Sequence, residues 1–165
     1  MGPIAAGQPR RVDGSRQEAH THGVNSGTGS RSLDHLLAAA SARITRYTPT
    51  EAYSATTAGA ILIDVRSDET RRREGIVPGS LHIPRTVLEW RVAPGSDVRN
   101  PHLGRLDDPV ILLCDHGCST ILAAATLTDI GYVDAGDVIG GFEAWRESGL
   151  PTAPPPLPGI APSGS

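Results

Sequence analysis

The sequence predicts an α/β fold, a parallel β-sheet with helices on both faces. Two apolar runs, Ile61-Leu62-Ile63-Asp64-Val65 and Val110-Ile111-Leu112-Leu113, have the length and continuity of strands covered on both sides. Segments with helical spacing of apolar residues alternate with strand-like runs, and parallel strands need such crossovers, which lie over the sheet. A length of 165 residues suits one core-bearing domain with tails.

Residues 1–30 are rich in Gly, Ser, Gln and charge and show no apolar periodicity. They bury too little to offset the entropy of ordering, so a disordered N-terminal tail is expected. Within 31–43, Leu33, Leu36, Leu37 and the alanines recur at helical spacing behind Ser32, a capping residue type, which predicts a short helix. The domain proper is expected over 44–151. Ile44 to Tyr47 reads as a short strand. Thr48, Pro49 and Glu51 supply a cap, a first-turn proline and an acidic first turn for a helix through Ala58.

The strand at 61–65 is followed by a polar, helix-compatible stretch from Asp68 to Glu74, in which Arg71, Arg72 and Arg73 beside Glu69 and Glu74 read as a solvated face. Gly75, Pro78 and Gly79 break the chain before a short strand at Leu81 to Ile83. After the strand at 110–113, a helix is expected from Ser119 or Thr120 to Ile130, ended by Gly131 in a left-handed conformation. Val138-Ile139 reads as the last strand, Gly140-Gly141 as a turn, and Phe142 to Ser148 as the last helix, ended by Gly149. Pro151, Pro154, Pro155, Pro156 and Pro158 forbid regular helix or interior strand, so the domain is expected to stop near Leu150 and 152–165 to be a proline-rich, solvated C-terminal tail.

A net charge of −3 gives no general electrostatic reason to bind nucleic acid or an anionic membrane, and neither partner is expected. Met1 to Gly7 has no apolar core of signal-peptide length, and no stretch approaches the roughly 20 apolar residues of a membrane span. Pro3 and Ala6 do not fit a myristoylation signal. The expected location is the cytoplasm. The two cysteines, Cys114 and Cys118, share one loop, where a disulfide would close very little chain, so their value is chemical rather than architectural.

Ligands of open parallel sheets bind beyond the carboxyl ends of the strands. Cys114 directly follows a buried strand and opens the loop Asp115-His116-Gly117-Cys118-Ser119, which turns into a helix at Thr120. Successive amides in such a turn form an anion-binding nest, and the helix dipole adds to their field. A thiol there has its pKa lowered towards the physiological range. Gly117 supplies the freedom to take positive φ that so tight a loop requires. From spacing alone, Cys114 reads equally as a nucleophile or as a small buried side chain at a strand end.

Four segments lie in register: Asp64-Val65-Arg66, Gly75-Ile76-Val77-Pro78-Gly79-Ser80, the loop opening at Cys114, and Gly140-Gly141-Phe142-Glu143-Ala144-Trp145 followed by Gly149-Leu150-Pro151. Together they resemble the signatures of the rhodanese-like domain family over residues 44–151. The likeness extends to single-domain members of actinobacterial type, which carry Val87-Leu88-Glu89-Trp90-Arg91 after the third strand. The resemblance implies a three-layer α/β/α architecture, a five-stranded parallel sheet of order 3-2-4-5-1, and a persulfide-forming cysteine at Cys114. It also implies a sulfurtransferase or persulfide carrier. The Cys114 thiolate would take the outer sulfur of a small sulfane donor, such as thiosulfate or a low-molecular-weight persulfide, and pass it to a thiol or other thiophilic acceptor. The substrate-binding loop would be Asp115, His116, Gly117, Cys118, Ser119 and Thr120, whose amides cradle the persulfide. No cofactor is called for, since cysteine alone carries the sulfur.

The loop departs from the family pattern, in which arginine or lysine follows the cysteine and recurs near the loop's end. Those positions read Asp115 and Ser119 here. A carboxylate beside the nucleophile opposes thiolate formation and the approach of a dianion. Arg85 and Arg91 are the candidates for cationic support, with pairing to Glu89 as the competing role. His116 reads either as a source of some positive charge when protonated or as a solvated loop histidine, and Arg66 as part of a fold-stabilising ion pair. Cys118, four residues after the nucleophile, reads either as a small loop side chain or as a second thiol able to attack a Cys114 persulfide or sulfenate. Zinc ligation by Cys114, His116 and Cys118 lacks a fourth ligand, and no metal is expected. The competing functions are a catalytically inactive rhodanese-like binding or regulatory module, and a cysteine phosphatase or arsenate reductase. The second would need an arginine where Thr120 stands.

Overall fold

The computed structural model describes residues 31–156. The tail expected at 1–30 and the end of the proline-rich segment, 157–165, lie outside the described residues. The elements in chain order are α1 (Leu33–Ser41), β1 (Thr45–Tyr47), α2 (Pro49–Thr57), β2 (Ile61–Asp64), α3 (Asp68–Glu74) and β3 (Leu81–His82). A 3₁₀ turn (Arg85–Val87) then leads to α4 (Leu88–Val92), β4 (Val110–Leu113), α5 (Ser119–Ile130), β5 (Ala135–Val138) and α6 (Gly141–Glu147). The five strands form one sheet of order β1-β5-β4-β2-β3, every pair parallel, which is the order the resemblance implies.

Helix starts follow their local chemistry. Thr48 and Glu51 make a reciprocal capping box, with the Glu51 amide on Thr48 Oγ1 at 3.3 Å and the Thr48 amide on Glu51 Oε2 at 2.8 Å. Ser32 and Ser67 cap α1 and α3 through the amides of His35 and Thr70. Gly131 ends α5 at φ +117°, the left-handed conformation expected for it.

Strand alternation divides the core between the two faces. Ile63, Val110, Leu112, Cys114 and Ala135 pack with Leu88 and Val92 of α4 and with Ala123, Ala124 and Leu127 of α5. Leu62, Ile111, Leu113 and Val138 pack on the other face with Ala52 of α2 and Phe142 and Trp145 of α6. Helix α1 lies outside α5, with Ala40 against Ile121 and Ala125. No helix among the described residues is long and apolar enough to cross a membrane.

Four local expectations are corrected. The last strand is Ala135–Val138 rather than Val138-Ile139. Gly136 and Asp137 hid it, because one lacks a side chain and the other is charged. Both are required: a Cβ at Gly136 would collide with Thr45 and the Tyr47 ring, and Asp137 is paired by Arg46 at 2.9 Å. Arg71 is buried, not solvated, and reaches Asp64 at 3.2 Å. Packing of the chain continues past Leu150. Pro151 O accepts from the Trp145 indole at 3.0 Å, and Ala153, which has the N–H that the neighbouring prolines lack, exchanges two backbone hydrogen bonds with Ile76. Helix α4 was not foreseen from periodicity, since only Leu88 and Val92 of its five residues are buried.

Candidate active site

Cys114 sits one residue past β4, where the strand direction delivers it to the carboxyl edge of the sheet. Its side chain continues the alternation of Val110 and Leu112 and is 7% exposed. The chain then turns through Gly117, at φ +72°, and enters α5. A Cβ at Gly117 would lie 2.6 Å from Gly140 N and 2.9 Å from Val138 O, so the position needs glycine for space as well as conformation.

Neither Ser119 nor Thr120 caps α5. The N-cap is Cys118, and its side chain makes no capping bond. The sulfur is held from the loop and the first turn of α5: Gly117 N donates to Cys114 Sγ at 3.2 Å, and the Thr120 hydroxyl stands 3.5 Å from it. Burial pushes the Cys114 thiol pKa up, but hydrogen bonds from the Thr120 and Ser119 hydroxyls and the Thr120 and Gly117 amides outweigh it. The thiol is held below its ordinary value.

Helix α6 completes the cradle. The Phe142 amide donates to Cys114 O at 2.8 Å and the Glu143 amide to Asp115 O at 3.1 Å. A side chain at Gly141 would strike Cys114 O and Asp115, so the paired glycines let the start of α6 seat against the loop. Behind it, Asp64 Oδ1 and Oδ2 take a bidentate grip from Arg66 at 3.0 and 2.8 Å. The Arg66 guanidinium also donates to Gly75 O and lies 3.7 Å from the centre of the Phe142 ring. Arg66 is the buried structural ion pair expected of it.

Cys114, Asp115, His116, Cys118 and Ser119 line one cavity of about 150 Å³. Gly117 and Thr120, both buried, hold the sulfur from within. The cavity mouth is acidic. His116 is exposed and lies 3.6 Å from Glu143. Asp115 Oδ1 is buried without a hydrogen-bond partner. Burial holds the Asp115 carboxyl above its usual range; Arg66 opposes that shift and Glu74 adds to it.

Of the two candidates for cationic support, Arg85 is held by Glu89 at 2.7 Å, and neither Arg85 nor Arg91 is among the residues that line the cavity. Asp137 is the residue the sequence did not reveal. It is fully buried, accepts from Thr120 Oγ1 at 3.2 Å, and so touches the sulfur's own hydrogen-bond partner. A charged residue inside an otherwise apolar strand was the signal for it. A larger cavity of about 410 Å³, lined by Tyr53, Thr57, Val77, Pro78 and Leu81 among others, opens at the amino ends of β2 and β3, away from Cys114.

Residues 48–148 match the model of the Rhodanese-like domain family. The thiosulfate sulfurtransferase GlpE of Pseudomonas savastanoi is 35% identical over 101 residues, covering 61% of this chain and 86% of the relative. GlpE of Actinobacillus succinogenes is also 35% identical, over 65% of this chain and 88% of its own. Among solved structures, a Rhodopseudomonas palustris protein described as a possible tyrosine phosphatase superposes with a TM-score of 0.69 at 29% identity, over 77% of this chain and 98% of its own. The polysulfide-sulfur transferase of Wolinella succinogenes does so with a TM-score of 0.59 at 26% identity, over 71% and 83%.

Proposed function

The chain belongs to the rhodanese-like domain family, and from that premise we propose that it transfers sulfane sulfur through a persulfide on Cys114. The observation that carries the reading is the Cys114 sulfur itself, facing the Gly117 amide at 3.2 Å with its thiol pKa lowered. The thiolate attacks the outer sulfur of a donor, the donor's S–S bond breaks, and its electron pair leaves with the remaining fragment, sulfite when thiosulfate is the donor. An acceptor thiolate then takes the outer sulfur from Cys114. The same amides that hold the thiolate serve it again as leaving group.

Charge at the mouth selects the donor. Asp115 lines the cavity and Glu143 stands beside His116, so a dianion meets two carboxylates. A low-molecular-weight persulfide, carrying less charge at its reacting end, is the preferred donor over thiosulfate. The phosphatase reading lacks the group that would grip a phosphoryl oxygen: no arginine lies between Asp115 and Thr120.

Intact-mass spectrometry after exposure to thiosulfate, a mercaptopyruvate or glutathione persulfide tests this directly. One added sulfur is expected, absent in Cys114→Ser, with the persulfide the most effective donor. An unlabelled protein under all three donors would return the chain to the alternative of an inactive binding module.

A further inference from the structure

We propose that Cys118 is a second sulfur-carrying residue, which takes the sulfane sulfur from Cys114 and presents it at the surface; this rests on the Cys114 persulfide proposed above. The two thiols line the same cavity of about 150 Å³. They differ in access: Cys114 is buried at 7% exposure, while Cys118 is exposed at the rim. Among the described residues the Cys118 thiol makes one hydrogen bond, a long one of 3.8 Å to His116 O, which holds it weakly. A bulky acceptor thiol reaches a sulfur at the rim of so small a cavity more readily than one at its buried end.

Displacement at sulfur runs in line, with the attacking atom opposite the leaving one. The inner sulfur of a Cys114 persulfide would be backed by the Gly117 amide and the Thr120 hydroxyl, which close it to attack from behind. With that side closed, the outer sulfur would extend into the cavity that both cysteines line. The Cys118 thiolate therefore bonds to the outer sulfur and the Cys114 S–S bond breaks. Its electron pair returns to Cys114 as the thiolate, and the proton or charge of the outer sulfur stays with it. The product is a Cys118 persulfide and a regenerated Cys114. No oxidant or reductant is consumed, and no disulfide forms.

The full-length protein is loaded with glutathione persulfide, trapped with an alkylating reagent, and fragmented to locate the extra sulfur, in parallel for wild type, Cys118→Ser and Cys114→Ser. The expected wild type carries label on both cysteines, Cys118→Ser on Cys114 only, and Cys114→Ser on neither. Delivery from loaded Cys118→Ser to a ten-residue thiol peptide is expected to fall about tenfold, with delivery to 2-mercaptoethanol much less affected. Label confined to Cys114 in the wild type, with peptide delivery equal in wild type and Cys118→Ser, overturns the relay and leaves the persulfide reading intact. Release of sulfide with a Cys114–Cys118 disulfide, or label on Cys118 in Cys114→Ser, overturns it as well. Absence of label from Cys114 in both wild type and Cys118→Ser sinks the persulfide reading and the relay with it.

Discussion

The Thr120 hydroxyl and the Asp137 carboxylate meet at 3.2 Å, both fully buried, beneath the Cys114 sulfur. Thr120 has one hydrogen and two acceptors in reach, the carboxylate and the sulfur 3.5 Å away. Given to sulfur, that hydrogen stabilises the thiolate; given to Asp137, it leaves the hydroxyl oxygen to accept from the protonated thiol. The carboxylate and the ionised sulfur therefore compete for one proton, and Thr120 couples the reactive group to a charge pair on the neighbouring strands β5 and β1.

Thr120→Val keeps the volume and removes the hydroxyl. A hydrogen bond to a charged group is worth about 1.5–3 kcal/mol, so alkylation of Cys114 at neutral pH is expected to slow by about tenfold or more. Asp137→Asn removes the charged competitor and shifts the alkylation profile the opposite way, towards lower pH. Iodoacetamide kinetics with peptide mapping check both.

Because the folded thiol of Cys114 titrates below its ordinary value, its alkylation profile is expected to rise at lower pH than that of a free cysteine. The sign for stability follows. In the window between the folded and unfolded pKa values, the unfolded chain binds more protons, so stability rises with pH. The contribution is complete above the unfolded value and is lost as pH falls through the folded one. Denaturant midpoints of wild type relative to Cys114→Ser, measured from pH 6 to pH 10 in about one-unit steps, report that trend; a flat difference contradicts it.

Asp115→Asn is expected to raise activity with thiosulfate about tenfold while changing activity with glutathione persulfide much less. At an open mouth screened by water, one unit charge about 6 Å from a dianion is worth about 1.4 kcal/mol, a factor of that order. The same substitution removes a carboxyl that burial holds above its usual range, so stability at neutral pH should hold or improve. Steady-state kinetics with both donors decide whether the mouth charge selects between them.

Gly117→Ala is expected to disable Cys114 and to destabilise the fold by about 2 kcal/mol or more, because a side chain there is strained in conformation and also collides with the backbone at Val138 and Gly140. Chemical denaturation and sulfur loading on the same preparation separate the two effects.

Arg66→Gln leaves Asp64 buried with only Arg71 as a charged partner and strips the cation from the Phe142 ring. Breaking a buried pair outright costs about 3–5 kcal/mol; because Arg71 still compensates part of the Asp64 charge, a loss of about 3 kcal/mol or less is expected. Since Phe142 holds the carbonyl of Cys114, sulfur loading should fall in the protein that remains folded.

The sequence by itself determined the architecture and the placing of Cys114 just past a buried strand. The apolar runs at 61–65 and 110–113, the Thr48-Pro49-Thr50-Glu51 helix start and the Gly131 stop are local signals, written in residues adjacent along the chain, and each appears in the structure where its chemistry puts it. Cys114 was legible for the same reason, as a thiol placed between a buried strand and a helix. The tertiary structure decided what surrounds that thiol. The burial of Asp137 and Arg71, the seating of Phe142 and Glu143 amides on the loop, and the return of Ala153 to Ile76 all join groups distant in sequence or invisible to periodicity. A polar side chain carries no local mark of whether a partner will satisfy it in the interior. Only the assembled fold, by supplying or withholding that partner, fixes its charge, its burial and its part in the chemistry.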